Sequence, residues 1–247
     1  MQRTIKHEIY VNSENMKHTQ HILVIVLTCL HSLIYGQHQN FTIGFNGNGI
    51  SFGNSKNANG IRFNFDDYEV EMINGINIVV VVSQSKINNG LTFGFIGNSH
   101  SICNGIVVGG FFGFSEKTNG IAISGIGHRA DKFNGLGIAG IGITGDTLNG
   151  VFMNLVGIGS LQPHSMTNLI NGVTIGLTIG ANAEKLNGVS ISLFGNKIGE
   201  LNGISIGVVN RSKKVRGIQI GLWNIAENNR IFRQMPIINF NFRENKK

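Results

Sequence analysis

Asn119-Gly120-Ile121-Ala122-Ile123-Ser124-Gly125-Ile126-Gly127 is followed, fifteen residues on, by Asn134-Gly135-Leu136-Gly137-Ile138-Ala139-Gly140-Ile141-Gly142. The same phrase extends in both directions. Its asparagines are Asn59, Asn74, Asn89, Asn104, Asn119, Asn134 and Asn149, with six successive intervals of 15 residues. The interval widens to 22 at Asn171, returns to 16 at Asn187 and 15 at Asn202, and closes after 14 at Arg216-Gly217. A fixed short period sustained over eleven units means one small structural unit stacked many times.

With the asparagine as slot one, slot three is Ile61, Ile76, Leu91, Ile106, Ile121, Leu136, Val151, Val173, Val189, Ile204 and Ile218, apolar in every copy. Slot five is also apolar throughout, from Phe63 to Ile220, whereas slots four and six hold mostly small or polar residues. Apolar residues two apart are the signature of a half-buried strand. By this reading slots three and five line the core, and Ile123→Asp is expected to abolish folding. Two bends per unit are expected, one at Asn-Gly and one at slot nine, where Gly or Asn recurs, because both residues tolerate positive φ. An apolar anchor precedes most asparagines: Ile73, Cys103, Phe133, Leu148, Ile170, Leu186, Leu201 and Val215.

Two all-β architectures fit this spelling. In a β-solenoid of about eleven 15-residue coils with terminal caps, like slots stack in columns about 4.8 Å apart, and stacked asparagine amides hydrogen-bond along a ladder. The structural asparagines would be Asn59, Asn74, Asn89, Asn104, Asn119, Asn134, Asn149, Asn171, Asn187 and Asn202. The alternative is a closed antiparallel up-and-down barrel of outer-membrane type, supported by the hairpin preference of Asn-Gly. Equivalent slots of a barrel would alternate between its rims, where there is no strong reason for both to use the same turn. The solenoid is therefore preferred.

The flanks complete the organisation. Residues 1–36 read as an upstream extension plus a secretory signal peptide: Met16-Lys17-His18 leads into the apolar run Ile22 to Leu30 and on to Gly36, after which cleavage is expected. The run is short against the ~20 residues of a membrane-spanning helix. Cys29 follows Thr28, a poor spelling for lipid attachment. Residues 37–58 read as an irregular N-terminal β cap, 59–225 as the repeat domain with a loop insertion at 161–167, and 226–247 as a cap strand with a charged tail. Expected localisation is the cell envelope, outer membrane or surface of a Gram-negative bacterium.

Chemistry-bearing motifs are few. The chain has 247 residues, 35 of them glycine, and a formal charge of +7. The excess of Lys and Arg is scattered without a basic stripe, which argues against nucleic acid. Gly135-x-Gly137-x-x-Gly140 matches a dinucleotide-binding spelling, but another Asn-Gly unit follows where a helix N-terminus would have to stand. Ser83-x-x-Lys86 matches a serine-acylase motif without its companions. His38, His100, His128 and His164 have no ligand partner at metal spacing and are expected mostly in polar turns. Asp66, Asp67, Glu69 and Glu71 read as a solvated turn. Cys103, in the anchor slot, reads as a buried inert thiol. An ice-like lattice ligand would need a regular array of threonines, and slot four is a mixture. No catalytic residue, metal or cofactor is expected.

The Asn-Gly-Ile-x-Ile-Gly units, the late Arg216-Gly-Ile-Gln-Ile-Gly-Leu-Trp-Asn224 and the ending Pro236-Ile-Ile-Asn-Phe-Asn-Phe242 resemble a bacterial family of exported surface-repeat proteins. The charged tail after Phe242 departs from members that stop at the aromatic residue. The resemblance implies an exported protein with no established activity or ligand; repetition without a catalytic constellation points to a non-catalytic envelope scaffold or interaction surface, and the export signal with Phe240 and Phe242 to a small outer-membrane barrel as the alternative. The partner is unknown, outer-membrane association remains open, and the sequence does not specify an oligomeric state.

Overall fold

The structure, a computed structural model, describes residues 40–45, 48–158 and 166–242. The expected signal peptide, Cys29, His38, His164, most of the insertion and the charged tail lie outside the described residues. The first strands are β1 (Asn40–Phe45), β2 (Asn48–Gly53), β3 (Asn57–Asn64), β4 (Met72–Val79), β5 (Val82–Asn88) and β6 (Leu91–Gly94). The middle of the chain forms β7 (Gly97–Cys103), β8 (Ile106–Gly109), β9 (Phe112–Ser124), β10 (Gly127–Ala139), β11 (Gly142–Thr144) and β12 (Thr147–Asn154). Last come β13 (Gly157–Ile158), β14 (Thr167–Gly176), β15 (Ile179–Ser192), β16 (Gly195–Ile206), β17 (Val209–Ala226) and β18 (Gln234–Asn241). There is no helix among the described residues.

These strands wind into a β-solenoid of about eleven coils. Each coil pairs in parallel with the next, and like slots meet: Asn119 with Asn134, Gly120 with Gly135, Ile121 with Leu136, Ile123 with Ile138. Among the described residues antiparallel pairing occurs only at the two ends, β1 on β2 and β18 on β17. The closed antiparallel barrel is therefore not formed. Besides the export signal and the aromatic ending, its support came from reading Asn-Gly as a hairpin turn, and that reading is corrected as well. Asn119-Gly120 lies inside β9 and Asn134-Gly135 inside β10, where the chain turns a corner without breaking the ladder. The glycines of slot two have φ between +127° and +154° at nine of the eleven copies, an extended left-handed conformation unlike the φ near +60° of a primed hairpin turn. A Cβ on Gly135 would lie far inside the van der Waals contact distance of the Gly120 carbonyl oxygen, so the column admits only glycine. The sharp bend of each coil falls at slots seven and eight, as at Gly125-Ile126 and Gly140-Ile141.

The orientation of the walls reverses the expectation from slots three and five. Both columns face outward, and slot four faces inward in every copy: Ala122 is 0% exposed, its neighbour Ile123 37%. Fifteen residues of roughly 3.3 Å each make a loop whose two walls lie close together, leaving room mainly for small side chains between them. Slot-four and slot-ten groups touch across that gap. Asn77 Nδ2 donates to Ser83 Oγ at 2.9 Å, and Ser190 Oγ donates to Asn196 Oδ1. Where a large side chain does enter, its neighbour shrinks: the space beside Phe152 and Ile143 is left by Gly137. The apolar centre of the stack holds Phe133, Ile143, Leu148, Phe152, Ile158 and Ile170, all but fully buried. The anchor slot, including Cys103, is buried as the alternation suggests, and burial pushes the Cys103 thiol up.

Candidate interaction surface

The Asn-Gly corner forms one margin of the outward wall. Every structural asparagine joins one ladder: the Nδ2 of Asn74, Asn89, Asn104, Asn119, Asn134, Asn149, Asn171, Asn187 and Asn202 each donates to the Oδ1 of the asparagine one coil earlier, at 2.7–2.9 Å. The widened interval does not break it, since Asn171 reaches Asn149 at 2.7 Å across 22 residues. The ladder ends where Arg216 replaces the next asparagine, and the Asn202 Oδ1 is left without a partner. These amides hold the corner in register and are structural.

Beside this margin run two columns with no break in register. One passes from Ile43 and Ile50 through the slot-three residues to Phe240, the other from Phe41 and Phe52 through the slot-five residues to Ile238. They cross β1, β2, β3, β4, β6, β8, β9, β10, β12, β14, β15, β16, β17 and β18, fourteen strands. Every residue in both columns is apolar and none is buried. Slot seven adds exposed apolar residues towards both ends of the stack, Val80 and Phe95 on one side and Leu155, Leu177, Leu193, Val208 and Leu222 on the other, with Gly110, Gly125 and Gly140 in the three coils between. At roughly 4.8 Å per strand and 3.3 Å per residue, the strip is on the order of 60 Å by 13 Å, or about 800 Å². That exceeds the ~300–600 Å² of the largest apolar patch on a typical monomer.

The opposite wall carries the charges. Lys86 faces Glu71 at 3.9 Å, Lys185 faces Glu200 at 3.6 Å and Arg211 faces Glu227 at 3.4 Å, each pair joining successive coils. Such exposed pairs contribute little, about 0–1 kcal/mol each. They leave one wall solvated and the other apolar.

The interior settles the motifs that imitate chemistry. Ser83 is buried and donates to Asp67 Oδ2 at 3.0 Å, whereas Lys86 points out from the wall, so the two do not form a catalytic pair. Gly135, Gly137 and Gly140 serve the corner column, the narrow core beside Phe152 and the bend. Asp67 is buried, contrary to the solvated-turn reading. Its Oδ1 accepts from Arg62 Nη1 at 2.6 Å, and Arg62 is completed by Ser55, Asn54 and Asn77. This closed polar network fills the N-terminal end of the core in place of apolar side chains. No group of three or more potential metal ligands occurs among the described residues.

His100 and His128 are also corrected: both lie in strands, β7 and β10, facing inward. His100 Nδ1 bonds Ser85 Oγ at 2.8 Å, and the His128 ring meets Phe133 edge-on at 5.4 Å. Burial lowers His100 to about 4, opposed by the charge of Asp67, and lowers His128 to about 4, aided by His100. Both are neutral core residues at neutral pH. The ice-like reading also lapses, because slot four, threonines included, points into the core.

Sequence reasoning missed the outward apolar strip itself. A usable signal was present. Slots three and five keep large residues in every copy with no compensation, while slots four, six and ten trade volume between neighbours, as close-packed positions must. No family model, no curated protein and no solved structure matches this chain.

Proposed function

We propose that this chain is a non-catalytic, exported envelope or surface repeat protein that works as an interaction scaffold, with the outward apolar wall as its binding surface. One observation carries the reading: two outward columns of Ile, Val, Leu, Met and Phe, none of them buried, run the length of the solenoid without a charged or polar residue interrupting them. An apolar area of this size is unfavourable to leave in water, at about 25 cal/mol per Å². Its retention by a repeat that could have placed serine or threonine there indicates that it is covered in use. The repeat motif, the aromatic ending and the leader-like residues 16–36 support export.

The test is to fractionate cells that make the full chain and sequence its N-terminus. The expected result is a chain beginning at Gln37, recovered outside the cytoplasm. Specific turnover of any envelope substrate by the purified protein would count against the scaffold reading. An unprocessed cytoplasmic chain would remove the exported part of it.

A further inference from the structure

We infer that the apolar wall pairs face to face with the same wall of a second copy, giving a two-fold dimer whose charged walls both face solvent. The inference rests on the interaction-surface reading and names its occupant.

Three features point to self-association. The first is area. On the order of 800 Å² per copy is what a stable protein–protein interface buries on each side. The second is the absence of any recognition code other than shape. A surface meant for a different protein usually carries charges and hydrogen-bonding groups that select the partner, and this one carries none in slots three, five or seven. It carries a periodic relief, one ridge per strand at about 4.8 Å. The surface with the matching period is another copy, and two such sheets pack about 10 Å apart with side chains interdigitated. The third is the margin. A helix or sheet lying on a lipid surface is held by Lys or Arg beside its apolar face. Here the Asn ladder stands on one side and the apolar bend residues Ile96, Phe111, Ile141 and Phe194 on the other; Arg216, at the ladder's end, is a single cation on that margin, and the ion-paired cations stand on the far wall. The free strand edges at β1 and β18 play no part, so the pairing closes at two copies.

Ile123 sits in slot five, between slots three and seven, on a middle strand. Whether the two solenoids run parallel or antiparallel, a two-fold pairing with full overlap brings Ile123 close to its symmetry mate.

The experiment uses the full chain at micromolar concentration. Analytical ultracentrifugation should give twice the chain mass for the wild type and half of that for Ile123→Glu/Ile191→Glu, both with the same β-sheet circular dichroism. Peroxide should oxidise Met153, on the wall, several-fold more slowly in the wild type than in the double variant, with Met72 as the reference. Should the charged variant fail to fold, Ile123→Cys in a Cys29→Ser background provides an independent reading: mild oxidation should yield a disulfide-linked dimer, because the remaining native thiol, Cys103, is buried. Absence of that product would overturn the inference. A wild type that is monomeric but floats with phosphatidylcholine vesicles would overturn the second copy and preserve the interaction surface. A monomer that does not float, with Met153 oxidised as fast as in the variant, would remove both readings. A dimer unaffected by the charged substitutions would place the contact elsewhere and likewise overturn the proposal.

Discussion

Ala122 and Ile123 are adjacent in one strand and belong to different environments. The inward residue is small and sealed between two walls; the outward one is large, apolar and open to solvent. Along the solenoid the inward and outward sides alternate in the same way coil by coil, with Arg62, Phe152 and Gln219 as large inward exceptions, so the strand that looks like an ordinary amphipathic sheet strand is turned inside out. The lesson concerns room. A wide sandwich buries bulky side chains from every strand, whereas this flattened coil fills slot four mainly with small or polar residues and joins some of them across the gap, as Asn77 to Ser83 and Ser190 to Asn196, keeping its large buried side chains mostly in the anchor slot.

Substitutions should separate the two environments sharply. The largest effect is expected from Gly135→Val, since its Cβ would clash with the Gly120 carbonyl and its φ of +139° is closed to branched residues. No cooperative thermal transition should remain, and Ala122→Asp, an unpaired charge in the core, should behave alike.

Next in size, Arg62→Ala should lower stability by about 3–5 kcal/mol, because it leaves Asp67 buried without its cation. Denaturant unfolding of wild type and variant at neutral pH measures this difference.

Acid should act on the interior in a predictable direction. His100 and His128 have folded values of about 4 against 6.5 when unfolded. Their contribution is complete above about pH 6.5 and is lost as pH falls towards 4. By linkage each accounts for roughly 3 kcal/mol over that window. Stability measured against pH should therefore drop below pH 6.5, and His128→Phe should flatten part of the drop.

A smaller loss, about 1–2 kcal/mol, is expected for Asn134→Ala, which removes two rungs of the amide ladder. The smallest effect belongs to the outer wall. Ile123→Asp should cost about 1 kcal/mol or less in thermal unfolding of the isolated chain, reflecting strand propensity alone. A complete loss of folding in that variant would mean that the outward wall is part of the core after all.

Much of the candidate surface could be read in advance as position, though not as orientation. The columns of slots three and five are visible in Ile61, Ile76, Leu91 and their successors, and so is the asparagine ladder. Two core histidines and one core aspartate were misplaced for the same reason. Residues such as His100, His128 and Asp67 are assigned to turns when polarity is taken to mean exposure, and that inference fails in an interior built from polar side chains.

The amino-acid sequence by itself determined the period, the stacking of like residues and the glycine corner, because each of these follows from local conformation repeated at a constant interval. Tertiary structure alone decided which side of the strand is inside. Period-two alternation distinguishes two faces without assigning either to the core; that choice depends on how far apart the opposing walls stand, a distance set by the closure of the whole coil.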